Sequence, residues 1–472
     1  MYKVCQTFPT SRIISAYPPL QYNDYMSEPL PEKTILSLSI EGGTPLSGTV
    51  KTNTSKNGAV ALLAASLLNK GTTTLHRMPR IEEVFRLIEV LRSIGVQVEW
   101  QQVNGSNSVV ITPPAVFDLS RIDEQAARLT RSIILFIGPL VHQFADFRLP
   151  QAGGCKLGSR TVRPHFYAVE PMGVNVVAEE NHFHVTHRGF KPNQEIVLYE
   201  SGDTVTVNAI MTAALIPGAT TLKYASSNYQ VAELCYFLDA LGVRVDGTGL
   251  TTVTVHGVDE IKKDIEYTLS EDPIDAMFFL AAAVVTHSPI TITRAPIEYL
   301  ELELLKLSKM GFDYTKTPVY LSENGRTKLV DITTVPSDIE ALDEKIYGRP
   351  YPGLNIDNLP FFAVIATAAR GQSLIHDWAY DGRAVHFMEL EKLGAHMLLA
   401  DPHRVFVTGP TSLQPADLVC PPALRPAAIL LIGMLAARGH SKLHNIYSIK
   451  RGYEDIAERL QGLGAKVEIF EE

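Results

Sequence analysis

One phrase of apolar and polar positions recurs six times along the chain: a helical run closes on an apolar residue, a glycine follows, and strict alternation then sets in. It reads Ile94-Gly95-Val96-Gln97-Val98, Met172-Gly173-Val174-Asn175-Val176, Leu241-Gly242-Val243-Arg244-Val245, Met310-Gly311-Phe312-Asp313-Tyr314, Leu393-Gly394-Ala395-His396-Met397 and Leu463-Gly464-Ala465-Lys466-Val467. The copies lie about 70 to 80 residues apart, too far for a helical solenoid, so each is one small αβ module. A glycine in that place predicts a helix C-terminus in the left-handed conformation, and the alternation predicts a strand with one buried face.

A second phrase lies upstream within most modules. An Ala/Leu-rich helix stops at glycine and enters a β-branched run, as in Ala59 to Leu68 before Gly71, Ile210 to Leu215 before Gly218, Ala363 to Ala369 before Gly371, and Ala427 to Ala437 before Gly439. Helices apolar nearly all round belong inside, between sheets. The unit therefore reads helix, strand, helix, strand. Six of them, three and three, predict an α/β chain of two similar lobes, each with helices inside a ring of sheets, and make the cleft between lobes the default ligand site.

Composition narrows this further. The 472 residues exceed one ordinary core, and 46% hydrophobic with 20% charged residues describes a soluble globular chain. Acidic residues outnumber basic ones, 51 to 42, for a net charge of −9, which disfavours nucleic acid as a partner and leaves room for a local cationic pocket. Cys5, Cys155, Cys235 and Cys420 lie far apart with no CxxC pair, so neither a zinc site nor a disulfide framework is expected, and a cytoplasmic location is. No apolar run approaches the ~20 residues of a membrane span. The Pro- and Tyr-bearing residues 1–34 lack the pattern of a secretory signal and read as a poorly ordered extension.

Chemistry is sought where the chain departs from its repeat. Thr54-Ser55-Lys56-Asn57-Gly58 stands directly before the first buried helix, where a Ser caps and a Lys suits an anion beside free N–H groups. Gly153-Gly154-Cys155-Lys156-Leu157-Gly158-Ser159-Arg160 is a Gly-rich loop whose cations favour a reactive thiolate at Cys155. Arg131, Arg383, Arg425 and Arg451 sit at the mouths of modules, and guanidinium groups match a ligand carrying carboxylate and phosphate. Asp357 ends Pro350-Tyr351-Pro352-Gly353-Leu354-Asn355-Ile356-Asp357; near a helix start it reads as a cap, and in a cleft as a base for a hydroxyl.

These residues, in this order, resemble the enolpyruvyl transferases, and within them the branch acting on UDP-N-acetylglucosamine more than the shikimate branch, from about Ile35 onward. The resemblance implies an inside-out α/β fold in two lobes, 55–270 forming one and 35–54 with 271–472 the other. It implies phosphoenolpyruvate at Lys56, the sugar acceptor at Asn57, and the phosphoenolpyruvate or diphosphate region at Arg131. It further implies a lid loop whose Cys155 protonates the enolpyruvyl methylene or forms an adduct and is alkylated by fosfomycin, with Arg160 beside it. Asp357 would take the proton of the acceptor's 3-hydroxyl, Arg383 would bind substrate, and Arg425 and Arg451 would lie near the carboxylate and phosphate. No metal or organic cofactor is implied.

Some segments differ from the family's pattern. Thr161-Val162-Arg163-Pro164-His165 stands where the family holds uridine, Ser227-Asn228-Tyr229-Gln230 replaces a Glu-Pro-Glu type segment, and Glu200-Ser201-Gly202-Asp203 differs from Ser-Val-Gly. Pro360 and Pro426 fall where unbroken helix is expected. Two alternatives follow: an enolpyruvyl transferase for another nucleotide such as UMP, or a paralogue that binds a nucleotide sugar without turning it over.

Overall fold

A computed structural model describes residues 35–103, 105–151 and 161–472. The extension 1–34 and the loop residues Cys155, Lys156 and Arg160 lie outside the described residues.

Every glycine of the recurring phrase takes a positive φ, from 83° at Gly394 to 98° at Gly95. A side chain there would press Cβ toward the next carbonyl, which glycine avoids. Each ends a helical segment and starts a strand, as Gly242 does between helix Tyr229–Leu241 and strand Arg244–Asp246.

The modules carry more strand than the alternation alone predicts. The run after each glycine but the last continues through a turn into a return strand, which pairs with the strand after the buried helix; after Gly464 that middle place is taken by Leu36–Gly42. Ser106–Thr112, for example, lies antiparallel between Thr73–His76 and Gln97–Val103. Five of the six sheets also gain an edge strand from the segment leading into the module's buried helix or from the crossing chain, and that strand runs parallel to its neighbour. The sixth, Asp146–Pro150 with Val174–Ala178 and His182–His187, has three strands.

The described residues form two hydrophobic cores. The first is built from Ala59 to Leu269, the second from Leu38 to Val50 and Ile274 to Val467. Three helices pack against one another at the centre of the second: Pro273–Val285, Leu359–Ala366 and Leu424–Ala436. All thirteen residues of Pro273–Val285 are buried. Burial of each large aliphatic or aromatic side chain stabilises by about 1.5–3 kcal/mol, which is why helices with no polar face stay inside. Pro360 and Pro426 occupy the first turns of their helices, where the missing N–H has no intrahelical partner to lose, so they start these helices and do not interrupt them. Among the described residues no helix is long and apolar enough to cross a membrane.

The chain passes between the cores twice, side by side. Thr54 and Glu271 form an antiparallel bridge, Ser55 N–H donates to the Ser270 carbonyl at 2.8 Å, and Asp272 N–H donates to the Asn53 carbonyl at 2.8 Å. Strand Leu36–Gly42 lies between Gly439–His444 and Lys466–Glu471, so the start of the described chain completes a sheet made from its end.

Candidate active site

The double crossing sets two helix N-termini beside each other. Ser55 caps helix Lys56–Ala65 by accepting from Gly58 N–H at 2.9 Å. The Asp272 carboxylate accepts from Lys56 N–H at 3.1 Å and from Ile274 N–H at 2.8 Å, so one side chain caps a helix in each core. Burial pushes this carboxyl up to about 6, against the pull of Arg425. Lys56 Nζ donates to Asn57 Oδ1 at 3.3 Å, and Asn57 Nδ2 donates to the Tyr229 hydroxyl at 2.8 Å.

Glu83 organises the next set. It accepts from the Thr130 hydroxyl at 2.5 Å, from Ser132 Oγ at 2.9 Å and from the Arg451 guanidinium at 2.8 Å, bringing Arg451 of the second core against the first. Burial alone would raise its carboxyl, but Lys56, Arg451 and the Thr130 hydroxyl outweigh this and hold it at about 2. Arg131, between Thr130 and Ser132, opens the short helix Arg131–Phe136. Its charge adds to burial in pushing the His165 imidazole down to about 3, so His165 is neutral, bonded to Thr204 and Asn208. The motifs do not single out Glu83. Its signal is an acid on the same helix face as Leu87 and Leu91, a face that is buried.

Asp357 lies across from these groups. It does not cap the following helix, for which Asn358 stands at the cap position with no side-chain bond to the helix. Its own N–H donates to Asn355 Oδ1 at 2.9 Å, and Glu303 ties the segment down by accepting from Asn355 N–H and from the Asn358 amide at 3.2 and 2.8 Å. The Asp357 carboxylate faces Arg425 at 3.4 Å and Arg383 at 3.6 Å. Arg425 also donates to the Tyr453 hydroxyl at 3.1 Å.

Arg383 has a structural role besides the ligand-binding one expected of it. It is 0% exposed, paired with the buried Asp377 carboxylate, donates to the Ile356 carbonyl at 2.7 Å, and stacks at 4.3 Å on Tyr380. With its donors directed into protein, it braces the Asp357 segment from behind.

From the first core, Asp203 adds a second carboxylate near Asp357. It accepts from Ser226 Oγ at 2.5 Å and from the Asn228 amide at 3.0 Å. Burial raises it, and the charge of Asp357 adds to that rise. Lys56 and Asn57 thus stand at the crossing, Arg425 faces Asp357, Arg451 pairs with Glu83 and Arg131 lies beside His165, while Cys155 and Arg160 lie outside the described residues. Among the described residues no cluster of His, Cys, Asp and Glu is arranged to hold a metal ion. A carboxylate facing concentrated cationic donors, at helix N-termini, fits proton abstraction beside a small multiply charged anion.

The family model of EPSP synthase (3-phosphoshikimate 1-carboxyvinyltransferase) matches residues 40–460. The chain belongs to the EPSP synthase family. It is 32% identical over 434 residues to the UDP-N-acetylglucosamine 1-carboxyvinyltransferase of Treponema denticola, across 92% of this chain and 99% of that one. It is 31% identical over 437 residues to the enzyme of the same name from Campylobacter jejuni, across 92% and 99%. Two solved members of the EPSP synthase fold align with it. The enolpyruvyl transferase NikO from Streptomyces tendae does so with a TM-score of 0.79 at 23% identity, over 93% of this chain and 100% of that one. EPSP synthase from Acinetobacter baumannii gives 0.69 at 16% identity, over 92% and 100%. All of these names are those of carboxyvinyl, or enolpyruvyl, transferases, and this chain is an enzyme of that kind.

Proposed function

We propose that the protein transfers the enolpyruvyl group of phosphoenolpyruvate to the 3-hydroxyl of UDP-N-acetylglucosamine and releases phosphate, the step that commits the sugar to peptidoglycan precursors. The observation that carries this reading is the Asp357 carboxylate 3.4 Å from Arg425, beside the crossing that holds Lys56, in a chain similar over nearly its whole length to enzymes of that name. Two lobes, 55–270 and 35–54 with 271–472, in an inside-out arrangement of six repeated units, would open and close on this site. A cytoplasmic setting agrees with the buried free thiols of Cys235 and Cys420.

In this mechanism Asp357 takes the proton of the acceptor hydroxyl as its oxygen bonds to C2 of phosphoenolpyruvate, while C3 gains a proton from Cys155. The tetrahedral ketal then loses phosphate from C2 and a proton from C3, which restores the double bond as an enol ether. Lys56, Asn57, Arg131, Arg160, Arg425 and Arg451 hold the substrates and stabilise the developing charge, with Arg383 keeping Asp357 in place. Phosphate release from phosphoenolpyruvate with UDP-N-acetylglucosamine, UMP and shikimate 3-phosphate, each with and without fosfomycin, tests the reading. Fosfomycin-sensitive release with the UDP-sugar alone supports it. Release with UMP alone moves the acceptor to another nucleotide, and release with none leaves a binding protein.

A further inference from the structure

We propose that Tyr229 is a positioning residue: it sets the Asn57 amide, and through it Lys56, when the two cores are in contact. Tyr229 opens helix Tyr229–Leu241, which packs in the first core. Tyr229 itself is only 5% exposed and is packed in the second core, alone among the buried hydrophobic residues described between 55 and 270. There it meets Tyr299 edge-on, with ring centres 5.8 Å apart, and Tyr299 in turn packs on Tyr351 at 5.0 Å. Ser227, two residues before Tyr229, donates to the Tyr351 carbonyl at 3.1 Å, so the same turn is fastened to the second core twice.

The hydroxyl of this anchored ring accepts from Asn57 Nδ2 at 2.8 Å. An Asn side chain has a donor end and an acceptor end, and a partner at one end decides which way the other points. With Nδ2 held by Tyr229, Oδ1 turns to Lys56 Nζ at 3.3 Å. The tyrosine therefore supplies what the helix bearing Asn57 does not: a fixed amide orientation, from a ring seated in the opposite core. Placing a binding group in advance lowers the cost of ordering it with substrate. This inference rests on the function proposed above, with Asn57 facing the acceptor.

The test is a cycle of wild type, Tyr229→Phe, Asn57→Ala and the double variant. Phenylalanine keeps the ring and its contact with Tyr299 and removes only the hydroxyl. One neutral hydrogen bond predicts a five- to tenfold rise in KM for UDP-N-acetylglucosamine in Tyr229→Phe, with kcat changed by less than about twofold. In the Asn57→Ala background the same substitution should change KM by less than about twofold. A structural role alone would lower Tm, with kcat and KM unchanged or with losses independent of Asn57; either result overturns the proposal. A wild type that releases no phosphate with this acceptor fails the underlying reading and takes the inference with it, a failure visible before any variant is compared.

Discussion

Arg451 and Glu83 meet at 2.8 Å, joining the last module of the second core to the first module of the first core. Glu83 is also fixed by the hydroxyls of Thr130 and Ser132.

This pair makes the protein sensitive to acid. The Glu83 carboxyl sits at about 2 in the folded chain, below its usual 4.5, so its stabilisation is complete above about pH 4.5 and is lost as pH falls toward 2. The shift corresponds to roughly 3 kcal/mol. Urea unfolding at pH 6 and pH 3 should show this loss in the wild type and much less of it in Glu83→Gln, whose kcat/KM for phosphoenolpyruvate at pH 7 should fall at least about tenfold.

Glu233 has the opposite sign. Buried in helix Tyr229–Leu241, it accepts from the Tyr267 hydroxyl and the Ser270 N–H at 3.1 Å, and burial pushes it up to about 7. Its folded value exceeds its unfolded one, so its contribution is complete below about pH 4.5 and is lost as pH rises through 7. Glu233→Gln keeps an acceptor for both donors. Its Tm should change less than that of the wild type between pH 5 and 8.

Asp357→Asn preserves shape and removes the base. Turnover should fall by about 10²–10⁴-fold while calorimetric binding of the UDP-sugar changes little. Equal turnover by the variant would remove Asp357 from the proton transfer.

Arg383→Ala separates bracing from ligand binding. The substitution strands the Asp377 carboxylate in the interior, and breaking a buried pair in this way costs about 3–5 kcal/mol. Denaturant unfolding without substrate should show that loss. A variant as stable as the wild type but weakened only in substrate binding would return Arg383 to the ligand.

What could be read from the chain and what could not differ in physical kind. The glycine phrase was legible because a left-handed helix end constrains residue type locally, and so was the apolar stretch Ala427 to Ala437, which has only one place to go. The return strands were not, since pairing order depends on which neighbour lies alongside rather than on alternation. Lys56, Asn57 and Asp357 stood out as departures from a repeat, each at the start of a buried helix. Glu83 escaped notice because its meaning comes from Arg451, 368 positions away in the chain. Arg383 was legible as an arginine but not as a buried one, because Asp377 explains it only once the strand before it has turned inward.

The strand Leu36–Gly42, seated between Gly439–His444 and Lys466–Glu471, orders events during synthesis. Every residue of the first core has been made by the time Leu269 is added, so that core can assemble while translation continues. The second waits on the final strand, and at ordinary elongation rates the remaining stretch of roughly 200 residues takes about 10 to 40 s. Throughout that interval Leu36–Gly42 is without the neighbours it will finally have, and both of its edges stay open until Gly439–His444 and Lys466–Glu471 are made.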